Sequence, residues 1–152
     1  MHLRDFLEPA TLALPLKATD ADAVLPELVG LLGLDQQATA TLLKALRRRE
    51  ELGSTGVGRG FAIPHGRALV MNRVRLAYGH SPGGIPWRAV DDLPVHDFFL
   101  IVAPPPPLEM SNQYLPVLGK VAAFAKDPDV SARLSRVTSA EQFFQLLEEK
   151  GA

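Results

Sequence analysis

The chain has no cysteine among its 152 residues. That absence excludes disulfides, zinc–thiolate centres and thiol nucleophiles, and it fits a protein kept in a reducing compartment. Neither sign of charge is in excess, because 16 Lys+Arg against 17 Asp+Glu leave a net charge of −1. A nucleic-acid binder would carry a basic stripe. Here Arg47, Arg48 and Arg49 form the only tight basic cluster, and Glu50 and Glu51 follow at once. No apolar run approaches the roughly 20 residues that a bilayer span requires. Arg4, Asp5 and Glu8 stand where a secretion signal would need an apolar stretch. The expectation is a cytoplasmic protein that is not membrane-embedded and has no nucleic-acid partner. Nucleotide-binding loops are missing too: there is no Gly-Lys-Ser/Thr step and no dinucleotide fingerprint opening a helix. Apart from His65, the histidines are His2, His80 and His96. No pair of them shows helical ligand spacing, so no metal site is expected, and His80 and His96 read as strand-end or loop residues.

An apolar content of 47% over this length is enough to bury one core. Residues 1–18, with prolines at 9 and 15, read as an extended lead-in with one helical turn near Leu3–Leu7. Thr19-Asp20-Ala21-Asp22 is a helix start. Val24, Leu25, Leu28, Val29 and Leu32 follow at helical spacing, with Pro26 assigned to the first turn and Gly33 closing the element. Asp35 caps a second helix with Leu42, Leu43 and Leu46 as its apolar stripe, running out near Arg49–Glu51. The centre reads as strands. Phe61–Pro64 is one, and the alternation of Val74, Leu76 and Tyr78 is another. Residues 82–94 are loops with a short strand around Trp87. Asp97–Ala103 is a central strand buried on both faces. Pro104–Pro107 is a stiff connector rather than a polyproline ligand. Helical spacing resumes from Ser111 and stops at Asp127-Pro128, a short helix spans Val130–Leu134, and Ser139 to Gln142 is a capping box opening the last helix. Helices at both ends of a strand-rich centre indicate one α/β domain.

Residues 53–67 hold the chemistry: Gly-Ser-Thr-Gly-Val-Gly-Arg-Gly-Phe-Ala-Ile-Pro-His-Gly-Arg. Glycines let backbone amides approach a bound anion. Ser54 and Thr55 add hydroxyl donors, and a neutral imidazole at His65 is a nucleophile able to take a phosphoryl group. Pro64 restricts the backbone on one side of His65, and Gly66 removes side-chain bulk on the other, which would let a partner protein approach. On residue types alone, a glycine-rich loop with an uninvolved histidine is the commoner arrangement. Arg59 and Arg67 are assigned to solvent.

From Arg49-Glu50 through Gly53-Ser54-Thr55-Gly56 to Ala62-Ile63-Pro64-His65-Gly66, the sequence resembles the fructose/mannitol/nitrogen-regulatory (type 2) enzyme IIA of the bacterial phosphotransferase system. The order of elements fits that family over nearly the whole chain. The resemblance implies a single α/β domain over residues 1–152, with a mixed β-sheet flanked by helices on both faces. It implies that His65 is the phosphorylated residue and that no cofactor is used. It also implies that Arg49 is the family arginine, whose guanidinium fork suits a phosphoryl dianion; a solvated arginine at a helix C-terminus is the alternative. Ser54, Thr55 and Gly56 would bind the phosphoryl oxygens. The implied donor is a histidine-phosphorylated, HPr-like carrier protein, and the implied acceptor is a IIB component or a regulatory target. With no attached IIB or IIC part in the sequence, the nitrogen-regulatory branch fits best, with a sugar-specific component or a degenerate binding module as the other readings. One position departs from the pattern. Tyr114, in Tyr-Leu-Pro-Val-Leu, stands where the family usually has a second histidine. A phenol can donate a hydrogen bond there but cannot become cationic near neutral pH; otherwise Tyr114 is an aromatic packed in the first turn.

Overall fold

The computed structural model describes residues 1–106 and 112–152. Two 3-10 turns, Leu3–Phe6 and Pro9–Thr11, lead into strand β1 (Leu12–Ala13). Helices α1 (Ala21–Gly30) and α2 (Gln36–Leu52) follow, then strands β2 (Gly56–Gly58), β3 (Phe61–Ala62), β4 (His65–Arg67), β5 (Arg75–Ile85) and β6 (Val95–Ala103). Helices α3 (Tyr114–Lys126), α4 (Pro128–Leu134) and α5 (Ala140–Glu149) complete the chain.

Strand order is β1-β5-β6-β3-β2, with β4 also paired to β6. The sheet is mixed: β5 runs antiparallel to β6, β3 and β4 run parallel to it, and β1 is parallel to β5. β6 is apolar on both faces because both faces are covered. Phe99, Ile101 and Ala103 join a core with α3, α4 and α5, while Phe98, Leu100 and Val102 join a second core with α1 and α2. The period-2 alternation of one strand thus feeds two layers of helix. The expected class, a mixed sheet with helices on both faces, is what forms.

Asp20 and Asp35 cap α1 and α2 by accepting from Ala23 N at 3.0 Å and Ala38 N at 2.7 Å. Ser139 accepts from Gln142 N at 3.2 Å, but the Gln142 side chain reaches Thr138 N rather than completing the box on Ser139. Several local expectations are corrected. Pro26 lies inside α1, beyond the first turn. No strand forms at Trp87; instead β5 continues through Ser81-Pro82-Gly83-Gly84 to Ile85, with an irregular register between His80 and Ile85. The glycine run is not an open loop. β2 folds back on β3 as a hairpin whose turn needs positive φ at Gly58 (89°), Arg59 (58°) and Gly60 (82°). Gly56 is required for a close approach, since a Cβ there would lie 2.7 Å from Ala89 Cα. The expected strand Phe61–Pro64 splits at Ile63-Pro64 into β3 and β4, and His65 is itself a strand residue. The connector holds from Pro104 to Pro106; Pro107 and the Ser111 helix start fall outside the described residues.

Phe99 is the hinge of the α3–α5 core, with its ring centroid 4.8 Å from Tyr78, 5.9 Å from Phe124, 6.2 Å from Phe143 and 6.3 Å from Phe61. Phe99→Ala should cost about 3–5 kcal/mol in urea unfolding at unchanged m. A loss near zero would mean that this face is not a packed core.

Candidate active site

β4 pairs with the last third of β6, in the register His65↔Ile101, Gly66↔Val102 and Arg67↔Ala103. A strand sends alternate residues to opposite faces. Gly66 faces α2, and a Cβ there would lie 3.3 Å from the Leu46 Cδ2 atom. His65 and Arg67 therefore share the other face, that of α3. The sequence reading of Gly66 as room for a partner is corrected: the missing side chain lets α2 close on the strand.

His65 is half-buried, and its Nδ1 lies 2.6 Å from the Ile63 carbonyl oxygen. A carbonyl only accepts, so Nδ1 holds the proton and Nε2 presents its lone pair. The rings of His65 and Tyr114 are 6.3 Å apart. Tyr114 opens α3 and is buried. The Arg67 guanidinium carbon sits 4.5 Å over the Tyr114 ring, and its Nη1 reaches the Pro104 carbonyl at 3.5 Å. Burial pushes the Tyr114 phenol above its ordinary pKa, against the opposing pull of the Arg67 and then the Arg49 positive charge. The phenol is thus a neutral O–H donor with two guanidinium charges in range.

Arg49 comes from the last turn of α2 and donates Nη1 to the Gly53 carbonyl at 2.7 Å, leaving most of its five N–H donors uncommitted to that bond. Its neighbour Glu50 accepts from both the Thr55 backbone N–H, at 3.2 Å, and the Thr55 hydroxyl. Thr55 O in turn accepts from Ile63 N at 2.9 Å. Consecutive residues of α2 therefore bind the loop from two sides and tie it to the strand that leads into His65. The result is a nucleophilic nitrogen, a phenol donor and two guanidinium groups, with no opposing carboxylate bonded to either guanidinium among the described residues. Such a set can accept a tetrahedral dianion and disperse its charge.

Residues 5–150 match the model of a family described as the phosphoenolpyruvate-dependent sugar phosphotransferase system, EIIA 2. The chain belongs to this family. Proteins of this family are phosphotransfer components. A nitrogen regulatory protein of Bradyrhizobium diazoefficiens is 27% identical over 148 residues, covering 97% of this chain and 95% of that one. One from Klebsiella oxytoca is 31% identical over 123 residues, 80% of this chain and 72% of that one. The 2-O-alpha-mannosyl-D-glycerate-specific EIIABC component of Escherichia coli is 27% identical over 114 residues, but this chain spans only 17% of its length. Among solved structures, nitrogen regulatory protein IIA-Ntr of Neisseria meningitidis superposes with a TM-score of 0.84 at 27% identity, covering 94% of this chain and 97% of that one. IIA mannitol of Escherichia coli, at 20% identity and TM-score 0.74, covers 93% of this chain and 98% of that one and shares the fold.

In this EIIA 2 chain the structure sets Tyr114 beside His65, and the Arg49 charge acts on the Tyr114 phenol. It engages the other expected residues elsewhere. The Ser54 hydroxyl donates to the Trp87 carbonyl at 3.2 Å and accepts from Gly56 N at 3.0 Å. Thr55 is buried with its hydroxyl on Glu50, and Gly56 packs on Ala89. These three hold the loop. Arg67 was missed: it is half-buried beside Tyr114, not in solvent. The signal was available, since residues two apart on a strand share a face. Arg59 is exposed as expected. His80 lies in the middle of β5 rather than at a strand end or in a loop, whereas His96, the second residue of β6, is at a strand end as expected. Among the described residues no cluster of three His, Cys, Asp or Glu side chains could hold a metal, and no helix is long and apolar enough to cross a membrane.

Arg67→Gln removes the larger of the two charges that lower the Tyr114 pKa, so the phenol should titrate still higher, read from the Tyr114 Cζ shift against pH. An unmoved or lowered titration would place Arg67 away from the ring.

Proposed function

We propose that this chain is a phosphoryl carrier of the phosphoenolpyruvate-dependent system, working through a phosphohistidine at His65, and that it is of the nitrogen-regulatory type. The observation that supports it most is the free Nε2 of a histidine whose Nδ1–H is held by the Ile63 carbonyl, with the Tyr114 ring 6.3 Å away and the Arg67 guanidinium 4.5 Å over that ring. Nε2 attacks the phosphorus of a phosphohistidine on the donor protein. The Nε2–P bond forms as the donor's N–P bond breaks, and the donor imidazole takes back the electron pair. The His65 ring gains positive charge in this step, which the Ile63 carbonyl offsets through Nδ1–H. Arg49 and Arg67 bind the three phosphoryl oxygens, and the Tyr114 hydroxyl donates to one of them. Pro64 and the β4–β6 pairing hold the ring for in-line attack.

A protein donor suits the site better than a small molecule. Three leucines on the segments that bear the site residues are exposed: Leu52 at 83%, Leu69 at 89% and Leu115 at 67%. An HPr-like carrier would dock there, and the onward acceptor is a regulatory target or a IIB-like protein; a solved mannitol IIA sharing this fold is in complex with phosphorylated IIB. The nitrogen-regulatory assignment leans on two relatives of that name matched over 95% of their length, whereas the sugar-specific EIIABC relatives are matched over 17% and 23% of theirs and a fructose-specific EIIA component over 68%. A sugar-specific role is the second reading. We take the cytoplasm, where such carriers meet their donors, as the site of action.

Incubation with phosphoenolpyruvate, enzyme I and the carrier should add one acid-labile phosphoryl mass, and His65→Ala should abolish it with little change in melting temperature. Undiminished labelling of that variant would sink the assignment. Arg49→Lys keeps the charge and loses the fork. Charge-assisted bonds of about 1.5–3 kcal/mol made mainly in the transition state correspond to roughly ten- to a hundredfold slower phosphorylation. A rate within twofold would remove Arg49 from the site. Tyr114→His should change the pH dependence of transfer between about pH 6 and 7.5 relative to the tyrosine form; identical profiles in both would separate residue 114 from the phosphoryl group.

A further inference from the structure

The last turn of α2 carries a carboxylate that the phosphoryl chemistry leaves unexplained. Glu50 is half-buried next to Arg49, yet among the described residues it makes no ion pair with that guanidinium or with any other. A carboxylate one residue from an arginine proposed to bind a dianion opposes the arrival of that dianion. Both of its oxygens go to one residue. Oε2 accepts from the Thr55 backbone N–H at 3.2 Å, and Oε1 accepts from the Thr55 hydroxyl. Thr55 is 4% exposed, so without Glu50 two buried donors would lose their partner. Glu50 is itself well anchored. It lies one helical turn beyond Leu46, which is buried and packs against Gly66 of β4, and its own carbonyl accepts the Gly53 N–H at 3.2 Å.

From Thr55 the bonds continue to His65. The Thr55 carbonyl accepts from Ile63 N at 2.9 Å, and the Ile63 carbonyl accepts from His65 Nδ1 at 2.6 Å. The Ile63 backbone is turned away from β6. Gly60 and Pro64, on either side of it, give their carbonyls to Asp97 N and Ile101 N of β6, each at 2.9 Å, whereas Ile63 N bonds to Thr55 at the β2 edge. Among the described residues no backbone bond from β6 fixes the peptide edge that holds the His65 proton; Thr55 does. This matters because a free histidine side chain prefers its neutral proton on Nε2. The Nδ1–H tautomer, which leaves Nε2 as the nucleophile, has to be imposed by an acceptor placed at Nδ1.

We propose that Glu50 is a positioning residue for phosphoryl transfer: through Thr55 it holds the Ile63 carbonyl on His65 Nδ1, and so selects Nε2 as the nitrogen that reacts. The inference rests on the phosphohistidine reading and adds to it a residue that acts without touching the phosphoryl group. No bond forms or breaks at Glu50. The Nε2–P bond forms as the donor's N–P bond breaks, and the Nδ1 proton stays on His65 throughout. The role is one of geometry rather than charge. Glu50→Gln can accept from the Thr55 N–H through its amide oxygen and donate its amide N–H to the Thr55 hydroxyl, which is also an acceptor. Glu50→Ala can do neither.

The test reads the imidazole nitrogens of the unphosphorylated, 15N-labelled chain by 1H–15N NMR, about two pH units above the ordinary histidine pKa so that neutral tautomers dominate. His65 of the unaltered chain should show the Nδ1–H pattern. Glu50→Ala should bring its two nitrogen shifts toward each other, as the Nε2–H tautomer gains population, and should slow phosphorylation about fivefold or more. Thr55→Val, which loses the hydroxyl link alone, should move the shifts the same way by less. Glu50→Gln should keep the pattern of the unaltered chain. His80 and His96 are internal references. Their Nδ1 atoms each donate over 2.8 Å, His80 to Asp97 Oδ1, which also accepts from the Tyr78 hydroxyl, and His96 to the Ser81 carbonyl, so their patterns should hold in every variant. His65 shifts unmoved in both Glu50→Ala and Thr55→Val, shifts moved as far by Glu50→Gln as by Glu50→Ala, or shifts spread equally to His80 and His96 would overturn the proposal. No phosphoryl donor is present in the shift measurement, so its failure is distinct from that of the phosphohistidine reading, which labelling of His65→Ala decides.

Discussion

Backbone pairing along β6 fixes the position of every other part of this molecule. β6 pairs with β5 on one side and with β3 and β4 on the other. Its alternating side chains supply both cores at once, so a shift of one residue would exchange Phe99, Ile101 and Ala103 for Phe98, Leu100 and Val102 and mismatch both helical layers. The same register sets His65 opposite Ile101 and points its ring toward α3. The His65 ring is therefore held by a packed sheet rather than by a loop.

Around that anchor, each neighbour is tied to the fold and has a group left over. Arg49 is bonded to Gly53, Arg67 to Pro104 and the Tyr114 ring, and His65 to Ile63 through Nδ1 alone. Preorganised donors of this kind need no rearrangement when a dianion arrives. A tyrosine rather than a titratable imidazole at position 114 sets the character of the proposed site. Burial holds the phenol protonated, so the positive potential comes from arginines whose charge does not vary near neutrality.

The long elements were legible in the sequence because their patterns are regular: the stripes of α1 and α2, the capping residues Asp20, Asp35 and Ser139, and the apolar run of β6. The family motif pointed to His65, Arg49 and Tyr114 as the residues of the proposed site. What escaped depends on long-range pairing. β1 is two residues long and exists because Leu12 and Ala13 meet β5. The glycines at 56, 58 and 60 looked like an anion loop, yet they serve a hairpin turn and a contact with Ala89. The hydroxyls of Ser54 and Thr55 looked free because sequence does not reveal that Trp87 O and Glu50 lie beside them. Arg67 was assigned to solvent because β4 was not recognised as a strand, and without that the shared face with His65 was invisible. Asp97 gave a faint signal, a carboxylate opening an apolar run, but its partners lie 17 and 19 residues away across the β5–β6 pairing.

The central claim is that His65 takes a phosphoryl group on the nitrogen left free by the Ile63 carbonyl. Phosphorus–nitrogen coupling in the 31P and 15N NMR spectra of the enzymatically phosphorylated, 15N-labelled chain reads that atom directly. A single phosphoramidate coupled to Nε2 of His65, with Nδ1 still protonated, is the predicted result. Coupling to Nδ1 of His65, or to a nitrogen of another histidine, would contradict it.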